Sequence, residues 1–132
     1  MKLSLTRSFF ILSCIVVCNI ALHAQSPSDF FKAFEKKDFV TIESYLAPEI
    51  DLCIKDLPEI NLKSDALLRM KNFISAEDVK SVEEIHQGTS KLRSSGYKVA
   101  KLTTSKGVYR LFVYSENSGK SLRVKEVRVD KF

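Results

Sequence analysis

LRVKEVRV, residues 122–129, holds two pairs of apolar residues that one straight strand cannot reconcile. Leu122 and Val124 share one parity, and Val127 and Val129 share the other. Side chains alternate strictly along a regular strand, so such a strand cannot turn both pairs to the same face. One extra residue near Lys125-Glu126, a β-bulge, restores all four to a common face and bends the sheet there. A bent sheet that curls around helices makes a cone with a hollow at its wide end.

Upstream of this strand the twofold period persists. VEEIHQGTSK (82–91), GYKVAKLTTSK (96–106), GVYRLFVYSEN (107–117) and KSLRVKEVRVDKF (120–132) follow one another at nearly even spacing. Ser94-Ser95-Gly96, Lys106-Gly107 and Asn117-Ser118-Gly119 separate them with hairpin chemistry. Before residue 80 the period is helical. PSDFFKAFEKKDFVTIESYL (27–46) predicts two short helices, the first capped by Ser28 or Asp29 with Phe30, Phe31 and Phe34 at helical spacing. Lys36-Lys37-Asp38 turns the chain; Phe39, Ile42, Tyr45 and Leu46 form the second stripe, and Pro48 stops it. EIDLCIK (49–55) predicts a strand, with DLPEINLK (56–63) as its hairpin partner or an irregular return. SDALLRMKNFISA (64–76) predicts a third helix, capped by Ser64 or Asp65. Helices first and an antiparallel meander last give an α+β layout, with the helices packed on one face of a strongly bent sheet.

The chain has 132 residues, of which 45% are hydrophobic and 28% charged, values of a globular protein with room for one domain. The N-terminus has the form of a secretory signal. MKLSLTR carries two positive charges, FFILSCIVVCNIAL is apolar, and the chain turns polar after Ala24. The expected division is therefore a signal peptide over 1–24 and one domain over 25–132. The apolar run is too short and poorly flanked for a stable membrane span. A lipoprotein site at Cys14 would leave too short an apolar core ahead of the cut, so plain export to the periplasm or medium is the preferred reading. Loss of Lys2 and Arg7 leaves 19 basic residues against 16 acidic ones, with no run of five or six like charges. That balance does not point to nucleic acid. Cys14 and Cys18 leave with the signal, and Cys53 alone makes no internal disulfide. In the alternating IDLCIK it is expected to be a buried, inert thiol.

The most specific pieces are Ile85-His86-Gln87-Gly88-Thr89-Ser90 and Gly107-Val108-Tyr109-Arg110-Leu111. Together with the leader, the helix pair before YLAPEIDLCI and the closing LRVKEVRV, the chain resembles a family of exported bacterial proteins with a domain of unknown function, number 4783. The resemblance covers nearly the whole mature chain. It implies the nuclear transport factor 2-like, cystatin-like cone. It implies no activity, because that superfamily holds isomerases and dehydratases beside dimeric or pocket-bearing proteins without chemistry.

Read residue by residue, the chemistry is sparse. In VEEIHQGTSK a strand would put Glu84 and His86 on one face about 7 Å apart, so proton transfer would need a further partner across the sheet. The bland alternative is a polar strand anchored through His86. An isomerase-type pocket would need a carboxylate and oxyanion donors, for which Asp51, Tyr45, Tyr97 and Tyr109 are candidates. Asp51, alternating with Ile50, Leu52 and Ile54, fits equally well as the polar face of an edge strand. One histidine and one cysteine match no zinc spacing, and the isolated glycines form no phosphate cradle. No cofactor is expected. Residues 107–114 are apolar on both faces, with Val108, Phe112 and Tyr114 on one and Tyr109, Leu111 and Val113 on the other. Helices can cover one face; a second copy of the sheet is expected to cover the convex one, making a homodimer. The leading expectation is a non-catalytic binding or scaffolding module, with a small apolar ligand in a hollow lined by Phe34, Leu46, Phe73, Tyr109 and Leu111. The alternative is a small lyase or isomerase that uses His86, Tyr109 and Asp51.

Overall fold

The computed structural model describes residues 25–132 apart from Asp56 and Lys120. The leader expected over 1–24 lies outside the described residues. Two short helices, α1 (Pro27–Lys36) and α2 (Phe39–Tyr45), lead into a hairpin of β1 (Leu46–Ile54) and β2 (Pro58–Leu62). Then come α3 (Lys63–Glu77) and a four-strand meander, β3 (Val79–Thr89), β4 (Ser95–Thr104), β5 (Gly107–Ser118) and β6 (Ser121–Lys131). The strands form one sheet in the order β2-β1-β6-β5-β4-β3. Its edges are not joined, so the bent sheet is an open cone.

The expected α+β arrangement is present, with one refinement. The sheet is mixed, because β1 pairs with β6 in parallel, Leu52 beside Val127 and Ile54 beside Val129. This pairing makes β1 an interior strand, whereas Asp51 was expected on an edge; β2 is the edge instead. Pro48 lies within β1, where the register against β6 is irregular, and α2 has already ended at Tyr45.

The bulge expected near Lys125-Glu126 is there. Tyr114 pairs with Glu126 and Ser115 with Val124, so Lys125 is the extra residue. Leu122, Val124, Val127 and Val129 are all buried on the face toward the helices, while Lys125 is exposed. Inner-face side chains of β1, β4 and β5, among them Ile50, Leu52, Ala100, Leu102, Leu111 and Val113, complete the floor of the core.

The helices meet this floor with their apolar stripes. Ser26, not Ser28 or Asp29, caps α1, accepting from the Asp29 amide at 3.3 Å, with Pro27 opening the first turn. Lys37 closes α1 in the left-handed conformation and Asp38 caps α2 through the Thr41 amide at 3.2 Å. α3 begins after Leu62 with no side-chain cap, so Ser64 and Asp65 sit inside its first turn. Asp65 there still faces the positive end of the helix dipole. No helix among the described residues is long and apolar enough to cross a membrane.

Candidate binding site

The polar cluster that the fold builds most deliberately is Glu77, Tyr109 and Lys55. Glu77 ends α3, where an acid opposes the helix dipole, and is only 5% exposed. Its carboxylate accepts from the Tyr109 hydroxyl at 2.9 Å and from Lys55 Nζ at 2.5 Å. Lys55 follows the last residue of β1 in the left-handed conformation (φ 55°), which turns the chain away from β6 and carries its ammonium back over Glu77. That ammonium also lies 5.9 Å from the ring centroids of Phe73 and Tyr109, which meet edge to face at 5.5 Å. The same end of α3 is tied down by the next residue, Asp78, whose backbone carbonyl and carboxylate accept from the Ser105 amide and hydroxyl. This tie places the β4–β5 turn, and with it Lys106, beside the cluster.

The electrostatics follow from these contacts. The hydrogen bond from Lys55, helped by the Tyr109 hydroxyl, holds the Glu77 carboxyl below its ordinary value against the opposing effect of burial. Tyr109 is pushed up, first by burial and then by its bond to Glu77, and Lys55 is pushed up by Glu77. A carboxyl depressed in the folded state stabilises the fold above its ordinary value of 4.5, and that contribution is lost as pH falls through the depressed value. In Glu77→Gln the amide still accepts from Tyr109 but no longer titrates. Urea unfolding from neutral to acid pH is therefore expected to show a shallower loss of stability below about pH 4.5 in the variant than in the wild type. Equal slopes would mean that Glu77 is not the paired, buried anion described here.

Tyr109 thus has a carboxylate partner, but it is Glu77 and not the Asp51 expected from the sequence. Tyr109 faces inward, whereas His86 and Asp51 face outward. His86 on β3 and Asp51 on β1 are four strand spacings apart, about 19 Å. His86, Tyr109 and Asp51 therefore form no common site. Glu84 and His86 do not share a face either. Glu84 pairs with Ala100 and His86 with Val99, so Ile85 is an extra residue and a second bulge separates their directions. Glu84 turns inward, where Lys98 bridges it at 2.9 Å and bonds Ser28 of α1 at 2.8 Å. The cue was available, since Val79, Val82 and Ile85 recur every third residue rather than every second.

On the outer face His86 joins a row of rings. Its Nε2 lies 2.9 Å from the Tyr97 hydroxyl, and Tyr97 stacks on Phe112 with centroids 5.7 Å apart. Gly88 is required beneath Tyr97, because a Cβ there would stand 2.4 Å from the ring. Tyr97, Phe112 and Tyr114 are half-buried and Val108 is exposed. Tyr45, in contrast, packs edge to face with Phe30 in the core.

The residues expected to line an apolar hollow are drawn into the core. Phe34, Leu46, Phe73, Tyr109 and Leu111 are buried members of one continuous core. Tyr109 and Phe73 also border open space, on the clefts around Lys55 and Glu77. Cys53 is buried and unpaired, on the outer-face row with Arg128. Among the described residues no three of His, Cys, Asp and Glu gather as a metal-binding set.

A protein from Bacteroides uniformis with a solved structure is 25% identical, with a TM-score of 0.75 over 82% of this chain and 98% of that one. A Bacteroides fragilis protein is 23% identical, with a TM-score of 0.74 over 82% and 100%. More distantly, an NTF2-like protein from Cytophaga hutchinsonii is 10% identical with a TM-score of 0.58, covering 80% of this chain and 91% of that one; this shares the fold. No curated protein matches the chain. Both Bacteroides proteins are of the DUF4783 family. The model of that family, described as "Domain of unknown function (DUF4783)", matches residues 27–130, so the chain belongs to this family and has its NTF2-like fold.

Proposed function

We propose that the protein is an exported, non-catalytic binding module that works as a homodimer, its two copies meeting through the outer faces of their sheets. The observation that carries this reading is the row His86, Tyr97 and Phe112 on the outer face. Stacked, half-exposed rings of this kind are enriched at the centres of protein interfaces. The same face presents Asp51 and Glu126 beside Arg128, and Lys101 beside Arg110. A twofold axis can set the acidic part of one copy against the basic part of the other.

The burial of Phe34, Leu46 and Leu111 in one continuous core favours binding at a surface over binding inside the cone. The separation of His86, Tyr109 and Asp51 favours this reading over an isomerase. Export is supported by the charged, then apolar pattern of residues 1–24, and the family match begins just beyond it, at residue 27.

Sedimentation of the purified protein over a range of concentrations tests the dimer. The wild type is expected to associate reversibly. Phe112→Asp is expected to weaken association at least about thirtyfold without changing the circular dichroism of the fold. A wild type that stays monomeric at the highest concentration, or a variant that associates as well as the wild type, would contradict the proposal.

A further inference from the structure

The meander and β1 part company at one end of the sheet. β1 leaves at Ile54, which pairs with Val129, but β6 continues to Lys131. The left-handed turn at Lys55 carries the chain away and leaves the edge of β6 uncovered beyond that pairing. A cleft of about 750 Å³ opens there, within the range of small-molecule sites. Its walls are almost wholly charged. Lys55, Lys106, Arg110 and Lys131 face it, against the carboxylates of Glu77 and Asp130.

The charges do not cancel. Glu77 is already satisfied by Lys55 and Tyr109. Among the described residues Lys106, Arg110 and Lys131 make no ion pair within 4.0 Å, so three cations stand around the single carboxylate of Asp130. Arg110 is also oriented, with its guanidinium centre 5.8 Å from the centroid of the Phe132 ring. A guanidinium stacked this way keeps its N–H edge free for two parallel hydrogen bonds to an oxyanion. Converging like charges in a cleft concentrate a field that draws an anion in.

We propose that this cleft binds a small organic anion through a phosphate or carboxylate group, with Arg110, Lys106 and Lys131 as the recognising cations. Tyr109 supplies the aromatic wall against which the body of the ligand rests. The site lies at the end of β6, away from the row of rings; of its cations Arg110 is shared with the charged part of the outer face, and Lys131→Ala separates the two proposals.

Amide spectra of the isotope-labelled protein, titrated separately with inorganic phosphate and with succinate at constant ionic strength, provide the test. One or both anions are expected to give saturable shifts confined to Lys55, Lys106–Arg110 and Asp130–Lys131. Arg110→Ala and Lys131→Ala, both at exposed positions, are each expected to weaken that binding about tenfold or more with the spectrum otherwise unchanged. A response to phosphate alone names a phosphate ester as the ligand class, and a response to succinate alone names a carboxylate. Shifts that never saturate or that spread over all the surface lysines, or binding unaltered by both substitutions, would overturn the proposal.

Discussion

Val124→Asp and Val127→Asp are each expected to abolish folding. Both valines are fully buried on the inner face of β6, on opposite sides of the bulged Lys125. Losing one valine from the core costs about 1.5–3 kcal/mol. Enclosing an ionised carboxylate without a partner adds several kcal/mol more. A domain of this size has roughly 5–15 kcal/mol in total, so little of the native population would survive. The pair tests the bulge itself. In a straight strand residues 124 and 127 would face opposite ways, and one of the two aspartates would sit harmlessly in solvent. Lys125→Asp, on the exposed extra residue, is expected to stay within about 0.5 kcal/mol of the wild type. Circular dichroism and thermal melting of the three variants give the answer. A cooperative, wild-type-like melt for either valine variant would refute the bend.

Phe34→Ala is expected to cost about 3–5 kcal/mol, read from urea unfolding. Phe34 is fully buried in α1 and meets Phe30 with ring centroids 6.2 Å apart. Its removal leaves a cavity that the packed core can close only in part. Had Phe34 lined an open hollow, truncation would forfeit only the transfer energy of the ring, about 1.5–3 kcal/mol, and would enlarge a space already there. A loss of 3 kcal/mol or more therefore supports a filled interior. A loss of only about 1.5–2 kcal/mol would return the apolar hollow to consideration.

The sequence carried the fold through patterns that act locally. The change from helical to twofold period, the hairpin residues and the parity conflict in LRVKEVRV each arise from neighbouring residues, and each appears in the structure. Ile85 was misread because both faces of β3 are largely exposed there, so no buried pair signalled the change of direction as Leu122 and Val129 did in β6. The candidate site was less legible for a different reason. Glu77, Lys55 and Tyr109 are 22 and 32 residues apart in the pairs that bind them, and nothing local announces that they meet. The one hint was an acidic residue at the end of a helix, where the dipole disfavours it. The parallel contact between β1 and β6 is likewise a product of the whole fold. Because it makes β1 interior, it left Asp51 far from the residues with which it was grouped.

Two copies are proposed to meet through the outer face of the sheet. Isotope-filtered nuclear Overhauser spectra of a one-to-one mixture of labelled and unlabelled protein test it most directly, because they register only contacts between chains. Cross-peaks between chains are expected from the Tyr97 and Phe112 rings to Val99 and to the rings themselves. Contacts only from other surfaces, or none at concentrations where the protein is dimeric, would contradict it.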